Sequence, residues 1–486
     1  MYIGIDLGTS SVKVLLMTTD GTIVDEKTSE YAVSYPKENW AEQNPIDWWQ
    51  GTVQALKKLI SDNESHKSEI KGIGFSGQMH GMVALGKEGY VLTPAILWCD
   101  QRTQEECDEI TKYFGKEKLS DLVGNKALPG FTAPKLIWLK KNHPDLFNQI
   151  EVILLPKDYI RYKLTGVYAT DYSDASGMLL LDIEHKEYSK EMLSFIGITE
   201  IQLPELYESY EVTGMLSEEV KSLLDLSQDV IVVGGAGDQA AGAIGTGTVK
   251  EGIVSVTLGT SGVVFAAHDE YKVDDDNRLH AFCHANGHYH TMGVMLSAAN
   301  CLKWWVEQGS KVEFDVLLEE VDETISEVVF LPYLMGERTP YPDPNARGTF
   351  VGMDMTTDRH DMTKAVLEGV SFGLKDSLDL LVDLNIPVDE IRVIGGGAKS
   401  MKWRQILADV FGHEIVGINT NQGGALGAAI LAAVGDGAFD SVKEATTQII
   451  KTVDTVVPNM DNHIKYLEKH KKYQKLYDCL KPYFNN

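Results

Sequence analysis

Two related α/β lobes, each a mixed sheet flanked by helices and facing the other across a central cleft, are predicted by three features of the sequence. The tetrapeptide Leu-Gly-Thr-Ser occurs twice, at residues 7–10 and 258–261, each time directly after a strand-like run. In both copies alternating apolar residues lead into a Gly-Thr-Ser tip and then resume, the pattern of a β-hairpin with a glycine turn. Strand-like and helix-like segments alternate along the rest of the chain, which implies mixed sheets in an α/β architecture. Finally, the two copies lie about half of the 486 residues apart. Two lobes, residues 1–245 and 246–486, are therefore expected instead of the three that a prior of about 150 residues per domain would give.

The first lobe opens with strands at 2–7 and 12–17 and a third beyond Asp20-Gly21, forming a meander. A Trp-rich helix is expected at 45–60, a strand at 70–75, and a helix from Thr103, where Thr103-Gln104-Glu105-Glu106 fits a capping box. Residues 121–148 and 157–164 read as helices with loops, and 230–234 as a strand. The second lobe restarts with strands at 253–258, 263–267 and 290–296, with further apolar runs at 328–331 and 391–394. Helices fit at 303–308, 361–384, 401–411 and 425–434, and the Lys- and Tyr-rich tail after Pro458 reads as a closing helix. The glycine-rich stretch 245–252 is the expected lobe boundary and hinge.

Composition excludes several function classes. With 43% hydrophobic and 24% charged residues the chain has the balance of a soluble globular protein. A formal net charge of −27 disfavours a nucleic-acid partner, which needs clustered Lys and Arg. No basic segment followed by an apolar core opens the chain, and the longest weakly polar stretch, 423–435, is too short to span a bilayer. Neither export nor a membrane partner is expected. Five cysteines without a Cys-x-x-Cys pair suit a reducing cytoplasm.

A Gly-Thr-Ser tip presents backbone N–H groups and hydroxyls with no bulky side chain in the way, a cradle for phosphate oxygens. One such tip is ordinarily only a turn; a matched pair points to a nucleotide held between lobes. In so anionic a chain, its phosphates must be met by N–H groups, placed cations such as Lys13, and Mg²⁺. The run Gly395-Gly396-Gly397 between a strand and an amphipathic helix lets a flat adenosine approach the backbone. Gly72-Ile73-Gly74-Phe75-Ser76-Gly77 matches GxGxxG but ends a strand without opening a helix, so it is not read as a dinucleotide site. Asp238, between a strand and a small-residue helix, is placed to cap that helix and to accept the proton of an attacking hydroxyl. His284, His288 and His290 surround Asn286-Gly287, a hairpin turn expected to scatter the imidazoles, so no zinc site is expected. The chain contains no GxxxxGK[ST], which excludes a P-loop.

These residues resemble the FGGY carbohydrate kinases over essentially the whole chain. The resemblance runs through residues 2–10, Gly77-Gln78-Met79-His80-Gly81, 95–102, 130–138, 155–159, the Asp238 segment, 331–340 and 395–400. It implies two actin-like, ribonuclease-H-like lobes that bind MgATP between them, with a sugar deeper in the cleft. It also implies Asp238 as general base, with Met79 and His80 against the sugar, the dipeptide of members that phosphorylate D-xylulose; glycerol-specific members carry Arg-Glu there. Asp6 corresponds to the acidic residue near Mg²⁺. Gly8, Thr9, Ser10, Ser11, Lys13, Gly259 and Thr260 correspond to the phosphate loops, and Gly396, Gly397 and Met401 to the adenosine segment. Gln239, where D-xylulose-specific members carry Asn, and Asp100, in another matching segment, are expected at the sugar. The implied reaction is transfer of a phosphoryl group from ATP to D-xylulose, by a chain that the family's habit makes a homodimer. The alternatives are a ribulokinase-like or gluconokinase-like acceptor, and an actin-like ATPase without a sugar.

Overall fold

The computed structural model describes residues 1–484. In the first lobe, β1 (Tyr2–Leu7), β2 (Ser11–Met17) and β3 (Ile23–Glu30) form the antiparallel meander. The strand β4 (Gly72–Gly77) lies parallel to β1 on its other side. Beyond it come β5 (Val212–Met215), β6 (Ile231–Val233) and β7 (Ala236–Gly237), with β6 and β7 parallel to β4 and β5 antiparallel at the edge. The second lobe contains β8 (Gly252–Leu258), β9 (Gly262–His268), β10 (His280–Cys283), β11 (Tyr289–Met295), β12 (Val388–Ile394), β13 (Ile415–Ile418) and β14 (Thr452–Val456). The order β3-β2-β1-β4-β6 of the first sheet is repeated as β11-β9-β8-β12-β13 in the second, with the same strand directions. The two Leu-Gly-Thr-Ser copies are thus the same turn in two copies of one topology, which is what their sequence pattern predicts.

The principal helices are α1 (Pro45–Asp62), α2 (Gln104–Phe114), α3 (Thr132–Asn142), α4 (Pro156–Thr165), α5 (Asp238–Thr246), α6 (Ala299–Trp304), α7 (Arg359–Asp383), α8 (Met401–Phe411), α9 (Gly423–Gly435) and α10 (Met460–Phe484). Local chemistry starts several of them. The Asn44 side chain accepts the Ile46 N–H ahead of Pro45, and α1 then buries Trp48, Ala55, Leu56 and Leu59 on one face. The capping box expected at α2 does not form. The Thr103 hydroxyl donates to the Pro129 carbonyl (3.2 Å) and Glu106 pairs with Lys141 (3.2 Å), so tertiary partners displace the local motif. The helix expected at 303–308 begins earlier, as α6, and ends in a π-helical turn, Trp305–Ser310.

One helix binds the lobes together. α9 is almost wholly buried, and it lies backbone to backbone on the first lobe's sheet and on α5. A Cβ on Gly74 would sit 2.0 Å from the Ala428 carbonyl oxygen, one on Gly4 1.9 Å from that of Ala425, and one on Gly427 1.9 Å from that of Ala241. The GxGxxG glycines therefore serve helix-on-sheet packing. A Gly74→Val substitution should force α9 off β4 at a cost of about 1–3 kcal/mol, seen as a fall of several degrees in apparent Tm by calorimetry. A second bridge joins residues 123–183 to the edge of the other sheet, where Asn125 Nδ2 donates to Ala281 O (2.8 Å) and Cys283 N to Ser176 Oγ (3.0 Å). No helix among the described residues is long and apolar enough to cross a membrane.

Candidate active site

Two cavities adjoin the second hairpin tip, the larger lined by the second lobe alone and the smaller by both lobes. The larger, about 950 Å³, is lined by Leu258, Gly259 and Thr260, by Gly396 and Gly397 after β12, and by Lys303 and Met401. Gly395 adopts φ +93°, and a Cβ there would lie 2.6 Å from Leu258 O, so the triple-glycine turn rests directly on the base of the hairpin. Gly396 faces open space. The smaller cavity, about 210 Å³, is lined from the first lobe by Met79, His80, Trp98, Phe131, Asp238 and Gln239, and from the second by Ser261, Val263, His280, Met292 and Arg338. That volume is below the range of drug-sized ligands and on the scale of a monosaccharide. Thr260 lines one cavity and Ser261 the other.

The small cavity is rigidly furnished. His80 sits in the left-handed region at φ +67°, a costly conformation for a non-glycine residue. Its carbonyl accepts from Thr132 Oγ1 (3.0 Å) and the buried Lys135 Nζ (2.9 Å), and its Nδ1 meets Gly177 O at 2.7 Å. Burial pushes the imidazole down to about 3, so it is neutral at physiological pH, with Nδ1–H donating and Nε2 left as an acceptor. Asp238 is the first residue of α5, after Gly237. Burial, reinforced by repulsion from Asp6, pushes its carboxyl up to about 7. Asp6 is itself raised: burial outweighs the Ser76 hydrogen bond (2.6 Å) and the charge of Lys13.

Of the residues singled out in the sequence, Met79, His80, Asp238 and Gln239 share the small cavity, and Gly259, Thr260, Gly396, Gly397 and Met401 share the large one. Gly8, Thr9, Ser10 and Ser11 line neither cavity. Thr9 accepts from Trp98 Nε1 (3.0 Å) and donates to Gln78 Oε1 (3.2 Å), so the first tip stands behind the Trp98 wall. Lys13 is ion-paired with Glu26 at 2.9 Å and donates to the Gln422 side chain. Asp100 does not reach the sugar-sized cavity. Its oxygens accept from Ala41 N (2.6 Å) and from the Arg102 guanidinium (2.6–3.0 Å), which fixes the chain entering α2. The histidine turn forms between β10 and β11 and separates the imidazoles only in part: His288 is exposed, whereas His284 and His290 pack edge to face at 5.5 Å, and His290 stacks on Phe265 at 4.2 Å. Trp98, Phe131, His280 and Arg338 were not singled out. Trp98, Phe131 and Arg338 lie in segments that carried the family resemblance, whereas His280 had no local signal.

Comparison with known proteins supplies the family. The model for the FGGY family of carbohydrate kinases, N-terminal domain, matches residues 1–245, and that for its C-terminal domain matches residues 254–435. A curated xylulose kinase of Bacillus subtilis (strain 168) is 39% identical over 98% of this chain and 96% of its own length, and one of Escherichia coli (strain K12) is 39% identical over 99% of each. The crystal structure of a xyloylose kinase from Brucella ovis superposes with a TM-score of 0.94 at 40% identity, covering 99% of both chains. The repeated sheet order is that of the actin-like, ribonuclease-H-like lobe pair of these kinases. The chain belongs to the FGGY family of carbohydrate kinases.

Proposed function

We propose that the enzyme transfers the γ-phosphoryl group of ATP to the terminal hydroxyl of D-xylulose, giving D-xylulose 5-phosphate and ADP. The observation that carries this reading is the meeting of a monosaccharide-sized cavity, lined by Met79, His80 and Asp238, with a nucleotide-sized one at Thr260 and Ser261. The relatives named xylulose kinase support the acceptor. Phosphoryl transfer asks for in-line placement and charge neutralisation more than for covalent help. The N–H groups around Gly259, Thr260, Gly396 and Gly397 hold the nucleotide, His80 orients the sugar, and Asp238 takes the hydroxyl proton. A base with a pKa near 7 is matched to neutral conditions. Asp6 fits the role of holding Mg²⁺, because a buried carboxylate repelling a second one is a hard oxygen donor set in want of a cation. When bound, the ion neutralises phosphate charge.

A panel of D-xylulose, L-ribulose, D-gluconate and glycerol with coupled ADP detection tests the acceptor. D-xylulose should give the highest kcat/KM. Preference for another member would replace it, and ATP turnover indifferent to every sugar would revive an actin-like ATPase.

A further inference from the structure

We infer that Arg338 is the specificity-determining residue that selects a carbonyl-bearing sugar, its guanidinium donating to the keto oxygen of a ketose in the small cavity. The inference rests on the proposed function and names which part of the substrate that cavity reads.

The backbone around Arg338 is pinned on both sides. On one side, Glu337 Oε1 accepts from Leu296 N (2.9 Å) and from Arg338 N (2.7 Å). On the other, Thr339 N donates to Val294 O (3.0 Å), and its Oγ1 accepts from Val294 N (3.1 Å) while donating to Arg278 O (2.9 Å). Glu337 and Thr339 thus fasten the loop to β11, and the residue between them projects into the cavity. Its guanidinium makes no hydrogen bond or ion pair among the described residues. Glu337, the nearest acid in sequence, is directed at backbone N–H groups, and burial pushes it up to about 8, so it is largely uncharged at neutral pH. In a chain of net charge −27, an arginine held this firmly and left unpaired is kept for a ligand.

The other polar groups of the cavity define what it meets. His80 has Nδ1 engaged by Gly177 O, which leaves Nε2 as an acceptor. His280 contacts Asn125 Oδ1 through Nδ1 at 3.3 Å, and the Asn125 amide nitrogen donates to Ala281 O, so the oxygen is the acceptor and His280 Nε2 is likewise left accepting. Burial lowers both imidazoles well below their ordinary range and keeps them neutral. Asp238 accepts as well. Three acceptors can take three hydroxyl protons, and the arginine, which has donors only, needs an acceptor oxygen; a carbonyl provides one without bringing a further proton that would itself need an acceptor beside the guanidinium. A sugar with several hydroxyls and one carbonyl satisfies both demands. An alditol of the same length presents one more hydroxyl in place of the carbonyl.

The test compares D-xylulose with D-arabinitol, one of the two alditols formed by reducing its carbonyl, by Kd from calorimetric titration and by kcat/KM, in wild type, Arg338→Lys and Arg338→Met. For D-xylulose, Arg338→Met should raise Kd and KM roughly 10- to 100-fold, the size of a lost charge-assisted hydrogen bond. For D-arabinitol the same substitution should change Kd far less, so the preference for the ketose collapses. Arg338→Lys should fall between. Equal losses on ketose and alditol in either variant would make the residue structural and overturn the inference, as would an unchanged Kd for D-xylulose. Should Arg338→Met fail to fold, Arg338→Lys decides by the same ratio. If the wild-type panel favours another acceptor, the D-xylulose reading fails on its own, and that acceptor paired with its own carbonyl-free analogue still tests Arg338.

Discussion

Asp238→Asn should lower kcat for sugar phosphorylation by roughly 10²- to 10⁴-fold, the range of a lost general base, while MgATP binding stays within a small factor of wild type. The substitution keeps the size and the helix-starting position of the side chain and removes only its ability to accept a proton. The pH profile provides an independent signature. In the free enzyme the carboxyl is pushed up to about 7, and only the ionised form accepts the proton. Wild-type kcat/KM for the sugar should therefore fall tenfold per pH unit below about 7 and level off above it, and the variant should lose that inflection. The stability effect has the opposite sign. A carboxyl whose folded pKa lies above its unfolded value of 3.8 binds its proton more tightly in the native state. Ionisation then opposes folding increasingly from about pH 4 and fully above about pH 7. The Asn variant should be at least as thermostable as wild type above neutral pH. Near-normal turnover would remove Asp238 from the chemistry, and loss of ATP binding together with turnover would mark a structural role.

What the sequence disclosed was whatever is written in neighbouring residues. The two hairpins were legible because strand alternation and a glycine turn are local signals, and their shared tetrapeptide foretold two copies of one topology. The GxGxxG run was set aside for its context, and the structure adds that Gly74 makes room for Ala428, more than 350 residues away. Residues 423–435 are apolar on every side, so their helix was legible but no face told which sheet it covers; it covers that of the other lobe. The failed capping box at Thr103 was decided by Pro129 and Lys141, partners no local window contains. The walls of the small cavity come from segments near residues 80, 98, 131, 238, 262, 280, 292 and 338, so the motif residues were foreseeable and most of the aromatic and basic lining was not.

Lys157→Met should be the most destabilising single change in the first lobe, with a loss of about 3–5 kcal/mol and a fall of roughly 10 °C in apparent Tm. Lys157 is fully buried and lies 2.6 Å from Asp158, 2.7 Å from Asp171 and 3.3 Å from Asp174. Burial works against its charge, but the three carboxylates outweigh burial and hold the ammonium above its usual range. Methionine fills the volume and leaves those carboxylates without their shared cation. The consequence reaches the active site along a continuous chain: Asp171 Oδ2 accepts from Ser173 Oγ, which accepts from Gly237 N at 3.2 Å, next to Asp238. Arg161, 2.9 Å from Asp158, donates to Gly234 O in the same segment. Folded Lys157→Met should therefore also lose kcat with little change in KM for ATP, because the base drifts while the nucleotide cavity in the other lobe is untouched. Asp174→Asn is the control. Burial, together with its acidic neighbours Asp158 and Asp171, raises that carboxyl well above the ordinary range, so of the three acids it gives up its charge most readily and its amide isostere should cost much less than loss of the cation. Comparable destabilisation by the two substitutions would mean that packing volume, and not the placement of one cation among three acids, keeps this core together.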